Sequence, residues 1–488
     1  MIIEAMGEKF IGMMQDESRG GGNADFVAIP KNTEDVVQVL KHAAKSNMGI
    51  TIQGAATGIA GGAVPLGGIL VSMREMNDIL GVREDDGQYF LRVQSGVTLN
   101  QITEYLRKPL HENTSYFFPH NPTEKTATVG GAFACNSAGM NCIAYGSFST
   151  LISYIEWLAP DGDVWKIPRG DFLFDKEGCP LPNGLVLDFS IESSIIPAQL
   201  PNIGSDLIDF LAGSESRLGI VTELELALSP VLQEHWGALF LFTDDSSPWL
   251  FANNLNKNFL VGCEYYDDAV LKLMRENHND IPLPSCVKNM PNDTYNAVYI
   301  EIAGNDDEAT QEYLAEILEI FLDCGGSDDY AFAVNGASEI ERLRLMYHAC
   351  PELINLEASK VRRQLPELIK YSLDIKVPKE ELPKLLAMCR QEANKFDIHL
   401  FVAGHMLLGQ VVLHIVPQTT KCAEQCPLLL EKLATLVTDV GGYIAAENGI
   451  GKNKMELVWN LMSVSQKEYY TQLKQLFDPV GVMNRGRQ

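Results

Sequence analysis

The sequence has no run of about 18 apolar residues, so no membrane-spanning helix is expected. Its first residues carry acids early and lack a long apolar core, so we expect no secretory signal. The ten cysteines include no CxxC pair, which argues against a disulfide framework and against an iron–sulfur site. We expect a cytoplasmic protein with reduced thiols.

Basic residues are also scarce, since 38 Lys and Arg face 64 Asp and Glu and leave a formal net charge of −26. This balance argues against nucleic acid and anionic membrane surfaces as partners. A basic partner protein is compatible with it, although a well-solvated cytoplasmic surface is the simpler interpretation. The length of 488 residues and the 46 % of hydrophobic residues indicate a globular protein of two to four domains.

A glycine-rich loop without charge lies between two strand-like segments. Residues 32–49 predict an amphipathic helix that Gly49 ends. The strand-like ITI follows, then the loop "QGAATGIAGGAVPLGG" (53–68) with six glycines, then the strand-like ILVSM. A strand rather than a helix follows the loop, so it is not the fingerprint of nicotinamide-binding proteins and direct use of NAD is not expected. We predict a run of unhindered backbone N–H groups that can bind phosphate.

Two further stretches of small residues are residues 117–152 and 213–230. Such stretches suit a close approach of the backbone to a large ligand. Between them, "YIEWLAPDGDVWKI" (154–167) predicts a hairpin that turns at Asp161-Gly162. From about residue 231 onwards, strands alternate with helices, which predicts an α+β domain with one antiparallel sheet covered by helices.

Four segments carry recognisable motifs. They are "QGAATGIAGGAVP" (53–65), "FPHNPTEKTATVGGAFACNSAGMNCIAYG" (118–146), "GSESRLGIVTE" (213–223) and "DPVGVMNRGRQ" (478–488). Together and in this order, over essentially the whole chain, they resemble the FAD-linked oxidases of the vanillyl-alcohol oxidase superfamily. The resemblance is strongest to the FAD subunit of glycolate oxidase and to the D-lactate and D-2-hydroxyglutarate dehydrogenases. One such motif has little specificity, whereas four in register are highly specific.

The resemblance implies an α+β fold in three parts: an FAD-binding domain over residues 1–230, split near 95, a cap domain over 231–425, and a C-terminal helical segment over 426–488 that returns to the flavin. It also implies which residues contact the cofactor. These are Gly54, Thr57, Gly58, Gly61, Gly62, Pro119, Thr128, Gly130, Gly131, Asn136, Gly139, Gly146, Glu215, Gly219, Ile220 and Asn484. Some members of the superfamily bind FAD covalently through a histidine of the first loop. No histidine occurs between His42 and His111, so we expect non-covalent FAD.

The active-site motifs of the family are altered. In many members the histidine of a GEHGIG loop takes the proton of the substrate hydroxyl. Here the loop is "AENGIG", which keeps Glu447 but has Asn448, an amide that takes up no proton near neutral pH. The family's metal segment HxGDGNLH corresponds to "AGHMLLGQVVLH", in which a gapless alignment keeps His414 and has Leu407 in place of the first histidine. A shift of two residues would bring in His405 instead.

The altered segments leave few metal ligands. The gapless alignment leaves His414 and Glu447, which are too few for a catalytic zinc site of three protein ligands and a water. A half-buried strand histidine without a ligand role is an equal alternative for His414. Lys370 lies two residues before Ser372, which occupies the register of a family lysine, and Arg344 lies near the position of a family arginine. The candidate catalytic residues are Asn448, His414, Lys370 and Tyr347, with His405 as a further candidate.

The expected function is FAD-dependent dehydrogenation of a small, lactate-like or glycolate-like D-2-hydroxy acid. Electrons would pass to an iron–sulfur partner, an electron-transfer flavoprotein or a quinone. The alternative is an FAD-binding relay subunit, or a non-catalytic one, that has lost the hydroxy-acid site inside a larger complex. A chain that no longer binds FAD is the least favoured, because the glycine loops are intact.

Overall fold

The computed structural model of the protein describes residues 3–110, 114–188, 202–278, 281, 283–365 and 368–485. The chain divides into two compact units. The first comprises Met1–Ala138, Gly146–Val231 and Glu447–Gln488, and the second comprises Gly139–Tyr145 and Leu232–Ala446. The expected boundary near 230 lies beside the break at Val231, whereas the boundary expected near 425 lies inside a helix of the second unit.

The elements of the described residues follow in chain order. The strands are β1 Ile3–Ala5, β2 Phe26–Ala28, β3 Ile50–Gln53, β4 Ile69–Ser72, β5 Ile79–Asp85, β6 Gln88–Gln94, β7 Tyr116–Phe117, β8 Ile152–Leu158, β9 Val164–Pro168, β10 Cys179–Pro180, β11 Val186–Leu187, β12 Ile220–Ala227, β13 Ser229–Pro230, β14 Glu234–Phe242, β15 Leu260–Tyr266, β16 Asn296–Gly304, β17 Ala331–Asn335, β18 Tyr371–Lys376, β19 Leu400–Gly404 and β20 Gln410–Ile415. The helices are α1 Thr33–Ser46, α2 Leu99–Tyr105, α3 Val129–Cys135, α4 Cys142–Tyr145, α5 Leu207–Leu211, α6 Ser247–Asn254, α7 Asp268–Glu276, α8 Ser285–Lys288, α9 Asp307–Asp323, α10 Ala337–Arg362, α11 Leu382–Asn394, α12 Thr420–Asp439, α13 Met455–Leu461 and α14 Val464–Phe477.

The first sheet of unit 1 has the order β1-β2-β4-β3, and β4 runs parallel to both β2 and β3. Helix α1 packs its apolar stripe on this sheet, with Val36, Leu40 and Ala43 buried in the same core as Ile50. The Asn32 side chain caps α1 by accepting from the N–H of Asp35. The predicted end at Gly49 is wrong, because Asn47 adopts the left-handed conformation (φ 49°) and ends the helix there.

The second sheet of unit 1 is antiparallel and has the order β5-β6-β12-β8-β9. The predicted hairpin over 154–167 is confirmed as β8 and β9, with Trp157 opposite Trp165. The strand predicted after the third stretch of small residues is confirmed as β12, the central strand of this sheet. The sequence alternation therefore identified the strands that support the loops described below.

Unit 2 is built on one seven-stranded antiparallel sheet of order β17-β14-β16-β15-β19-β20-β18, as predicted. Helices α7 and α10 pack on one face around Tyr266, Tyr299 and Leu343. The short segment Gly139–Tyr145 joins this unit because Met140 lies against β15 at Gly262, where an added Cβ would approach Met140 Cγ to 2.9 Å. No helix within the described ranges combines the length and apolar character that a bilayer crossing requires.

Candidate active site

The glycine loop between β3 and β4 exposes a run of backbone donors. Its carbonyls are anchored, since Ala56 O accepts from Glu17 N at 3.2 Å and Ala60 O from Asn453 N at 3.1 Å. Among the residues that the structure describes, no atom accepts from the backbone N–H groups of residues 55–62. A Cβ added to Gly58 would meet nothing within 4 Å. The loop therefore presents free donors beside open space, which is the arrangement that binds phosphate oxygens.

The loop that contains Asn448 is anchored to the third small-residue stretch within unit 1. The Glu215 carboxylate accepts from the N–H groups of Ile450 and Gly451, each at 2.7 Å. Arg217 donates to Gly451 O at 3.0 Å and approaches Glu215 Oε1 to 3.4 Å, with both side chains 7 % exposed. Burial acts to lower the pKa of Arg217, but the Glu215 carboxylate together with Tyr470 and Cys135 raises that pKa above its usual value.

Close packing joins this loop to the glycine loop. Gly451 adopts φ 58°, and an added Cβ would approach Ala60 O to 1.9 Å. Lys452 donates to Gly62 O and to Asn484 Oδ1, both at 3.0 Å. Asn484 in turn donates to the Glu215 backbone carbonyl at 3.0 Å. The structure thus brings Gly61, Gly62, Glu215 and Asn484, which are far apart in sequence, around residues 449–453.

The middle stretch packs against the glycine loop through Thr128. This residue caps α3 by accepting from Gly131 N at 3.2 Å, and a Cβ on Gly54 would approach its Oγ1 to 2.2 Å. Gly130 approaches the backbone of Ser95 so closely that an added Cβ would lie 2.7 Å from the Ser95 side chain. Thr57 lies in the open part of the glycine loop, half-buried. These contacts explain the small residues by close backbone approach within unit 1.

The remaining predicted cofactor residues are placed as follows. Asn136 ends α3 in the left-handed conformation and accepts from Ser149 N at 3.0 Å. Pro119 is buried, and Gly146 leaves no room for a side chain beside Thr150. Gly219 lies against the Trp157 ring, and Ile220 is buried in the core of unit 1. Gly139 belongs to unit 2.

Unit 2 contains a buried histidine–carboxylate pair. His405 follows β19 directly, is 5 % exposed and has its Nδ1 2.5 Å from Oε1 of Glu264 in β15, which is 1 % exposed. With Nδ1 donating to the carboxylate, Nε2 is the ring nitrogen that can take a proton. Five residues, 405–409, connect β19 to β20, and Leu407 is buried among them.

The other substrate candidates of unit 2 are held by protein contacts. His414 lies in β20 opposite Phe401 and Ser372, and burial, reinforced by the charge of Lys370, holds its pKa well below its usual value. Lys370 donates to Asn355 Oδ1 at 2.5 Å. Tyr347 is buried in the core under α10. These contacts leave His414 a neutral imidazole at neutral pH.

Arg344 is already engaged by a carboxylate. Its guanidinium makes two 2.6 Å contacts with the buried Glu301, which also accepts from the Tyr299 hydroxyl at 2.6 Å. This bidentate pairing occupies the guanidinium N–H donors that a substrate carboxylate would need. Arg344 is therefore a structural residue of the sheet face, and Lys370 is the cation of the candidate set.

The donor set does not fit a catalytic metal. Across the described ranges, no three His, Cys, Asp or Glu side chains are grouped so that they could hold an ion. His414 belongs to unit 2, whereas the half-buried Glu447 begins the last segment of unit 1, next to Asn448. A catalytic zinc site uses three protein ligands plus water, so no step below is routed through a metal.

Two family models match the chain. Residues 24–168 match an FAD-binding domain, and residues 250–487 match the C-terminal domain of FAD-linked oxidases. The protein is therefore an FAD-dependent oxidoreductase. It belongs to the FAD-linked oxidases, as the sequence resemblance implied.

Relatives with assigned names match over nearly the whole chain. The D-lactate dehydrogenase of Anaerostipes hadrus is 25 % identical over 485 residues, which cover 96 % of this chain and 90 % of that protein. The glycolate oxidase subunit GlcD of Escherichia coli K12 is 24 % identical over 472 residues, 95 % of this chain and 83 % of the subunit. A probable mitochondrial D-2-hydroxyglutarate dehydrogenase of Oryza sativa subsp. indica is 24 % identical over 497 residues, 97 % of this chain and 78 % of that protein.

A solved structure of an alkyldihydroxyacetonephosphate synthase shares the fold. It superposes with a TM-score of 0.64 at 16 % identity and covers 100 % of this chain and 82 % of that chain. At this identity the likeness establishes the architecture alone. The α+β fold with an FAD-binding part and a C-terminal domain is confirmed.

Sequence reasoning missed three residues of these clusters: Arg217, Lys452 and Glu264. Arg217 and Lys452 lie inside motifs whose glycines drew attention, and both are charged side chains in segments otherwise rich in small residues. Glu264 is a lone acid in the apolar strand LVGCEYY, a signal that an internal partner is needed, because buried charges are paired. Its partner His405 was considered only as a metal ligand or substrate residue.

Proposed function

We propose that this enzyme dehydrogenates a small D-2-hydroxy acid and passes the electrons to a partner protein or a quinone. The observation that carries the proposal is the buried His405–Glu264 pair, because it offers a proton acceptor in a chain whose residue 448 is an amide. The near full-length likeness to D-lactate dehydrogenases and to GlcD supports the substrate class.

We propose that the glycine loop holds the FAD pyrophosphate. Its unpaired N–H groups at residues 55–62 and the open space beside Gly58 support this assignment. The other predicted cofactor residues of unit 1 would line the same cradle, with Asn484 toward the ring. When bound, FAD supplies the chemistry by accepting a hydride, with its two electrons, from the hydroxyl-bearing carbon.

In this proposal His405 takes the proton of the substrate hydroxyl as the C–H bond is broken, so that the alcohol becomes a ketone. Glu264 orients the ring through Nδ1 and stabilises the imidazolium that forms. Lys370 pairs with the substrate carboxylate. His414 is not the base in this proposal, because burial and the charge of Lys370 oppose its protonation.

The test is anaerobic reduction of the bound flavin, followed by its absorbance. D-lactate, glycolate and D-2-hydroxyglutarate are the substrates, and L-lactate is the stereochemical control. We expect at least one D-2-hydroxy acid to bleach the flavin. If none does so while flavin content is stoichiometric, the hydroxy-acid proposal fails and the relay subunit becomes the better function.

A second experiment tests the base. His405→Gln is expected to slow flavin reduction by about 10²–10⁴-fold without loss of flavin, the usual contribution of a general base. His235→Gln is the matched control, since this histidine lies in the same sheet, hydrogen-bonds the Leu232 carbonyl and is not one of the site candidates. Equal rates in the two variants would remove His405 from the mechanism.

We also propose a cytoplasmic location. The ten cysteines form no disulfide with one another within the part of the chain that the structure describes, as is usual in a reducing compartment. The electron acceptor is proposed to be an iron–sulfur subunit, an electron-transfer flavoprotein or a quinone. Co-purification from the native host, followed by reoxidation of the reduced enzyme by each fraction, distinguishes these acceptors.

A further inference from the structure

Lys452 is a half-buried lysine with no carboxylate on its ammonium. Its two hydrogen bonds go to neutral oxygens, Gly62 O and Asn484 Oδ1, both at 3.0 Å. Within the described part of the chain it makes no ion pair. The carboxylates of Glu215 and Asp16 act on its charge without forming an ion pair with it, so the ammonium can still pair with an anionic ligand.

The other cation of this cluster is already neutralised. Arg217 pairs with Glu215 at 3.4 Å and donates to Gly451 O, so its charge is neutralised by a carboxylate of the protein. The charged groups around Lys452 are Arg217, Glu215 and Asp16. The whole chain carries a net charge of −26, which repels an anionic ligand. A local cation is therefore needed wherever such a ligand binds.

We propose that Lys452 is a cofactor-binding residue whose ammonium pairs with the negative charge of bound FAD beside Gly62. The inference rests on the proposed assignment of the glycine loop to the cofactor. Two parts of FAD carry negative charge: the pyrophosphate in every redox state and the isoalloxazine ring after reduction. The experiments below separate them.

The proposal makes FAD affinity depend on pH. Burial, reinforced by the nearby Arg217, lowers the pKa of Lys452 to about 8 against the smaller opposing effects of Glu215 and Asp16. An anion that binds beside the ammonium favours its protonated form. Affinity for FAD should therefore be highest below pH 8 and should fall as pH rises through 8 and above, where the free lysine loses its proton.

The experiment titrates apoprotein with FAD across this pH range. Lys452→Met is expected to weaken binding by about 10- to 100-fold at pH 7, the loss of one charge-assisted contact, and to flatten the pH dependence. Lys452→Arg should retain most of the affinity and shift the pH dependence to higher pH, because arginine stays charged. Lys41→Met is the control for net charge, since Lys41 is an exposed residue of α1.

Riboflavin binding and the midpoint potential of the flavin identify which part of FAD the Lys452 ammonium contacts. If the ammonium meets the pyrophosphate, Lys452→Met weakens FAD binding but leaves riboflavin binding unchanged. If it meets the reduced ring, affinity for oxidised FAD is kept while reduced FAD binds about tenfold more weakly, which lowers the two-electron potential by about 30 mV. Either result supports the proposal.

The proposal is overturned if Lys452→Met changes neither FAD affinity nor potential, or if the wild-type affinities for oxidised and for reduced FAD are both flat between about pH 7 and 10. The wild-type titration needs no variant, so a folding defect cannot hide the answer. Gly61→Asp separates this failure from a failure of the loop assignment. If the Gly61→Asp variant keeps its flavin, the glycine loop does not hold the cofactor. If that variant lacks flavin while Lys452→Met leaves FAD affinity and potential unchanged, only the role of Lys452 is refuted.

Discussion

Removing the Glu215 carboxylate should destabilise unit 1 strongly. Glu215 has a side chain only 7 % exposed, and it satisfies the N–H groups of Ile450 and Gly451 as well as the Arg217 charge. Glu215→Ala would leave a buried guanidinium without its partner and two backbone donors without an acceptor. Breaking a buried pair from one side costs about 3–5 kcal/mol, so we expect a loss of this size in the free energy of unfolding.

Glu223→Ala is the matched control for this prediction. Glu223 also pairs with an arginine of the same unit, Arg92, at 2.7 Å, but these side chains are 19 % and 38 % exposed. Because water screens this pair, its loss should cost about 1 kcal/mol or less. The two variants remove the same chemical group and differ in burial.

The assay is urea denaturation of the apoproteins, followed by circular dichroism and by tryptophan fluorescence. Trp157, Trp165 and Trp459 lie in unit 1, and Trp236 and Trp249 lie in unit 2, so the fluorescence reports on both units. If Glu215→Ala loses no more stability than Glu223→Ala, the carboxylate is not what holds residues 449–453. The buried Glu215 carboxylate would then not be the main anchor of this loop.

Four further predictions concern the cofactor, the metal, the base and the pH dependence. Gly61→Asp should purify without flavin, because Gly61 adopts φ 76° and an added Cβ would lie 2.8 Å from Asn453 Oδ1; flavin absorbance checks it. Elemental analysis should find well under one equivalent of zinc, iron or manganese, and a stoichiometric metal removed only by strong chelation would restore His405 as a ligand. In a His405→Gln background, Asn448→His should speed flavin reduction by D-2-hydroxy acids by up to about 10²–10⁴-fold, and no gain would mean that the pocket is remodelled beyond this position. Burial raises the pKa of Asp267 to about 7, so its contribution to stability is lost as pH rises through 7; Asp267→Asn should therefore lose less stability between about pH 5 and 8 than the wild type in urea denaturation.

Most of the fold could be predicted from the sequence, because its signals are local. The alternation of strand-like and helical segments after residue 231 predicted the antiparallel sheet of unit 2, and the Asp-Gly turn identified the β8–β9 hairpin. The end of α1 was missed because asparagine as well as glycine adopts the left-handed conformation, and the sequence offered both Asn47 and Gly49. Local signals of this kind are uncertain by a residue or two at an element's end.

The contacts of the candidate site could not be predicted, because they join residues far apart in the chain. His405 and Glu264 are 141 positions apart, and Glu215 and Gly451 are 236 apart. No periodicity or spacing encodes such a pair; only the strand order of the folded sheet brings β15 beside β19. The gapless alignment drew attention to His414. In the structure, however, it is His405, the first residue of the five-residue connection after β19, that pairs with the Glu264 carboxylate.

The structure also explains how a loop of the AENGIG type can persist with an amide at 448. The contacts that fix this loop come from the residues after it: the N–H groups of Ile450 and Gly451, the Gly451 carbonyl, and Lys452. All of these contacts lie within unit 1, and each uses the backbone or the lysine rather than the side chain of residue 448. A change at 448 therefore leaves the described anchors of the loop intact. These contacts constrain residues 449–453, and none of them depends on the side chain at 448.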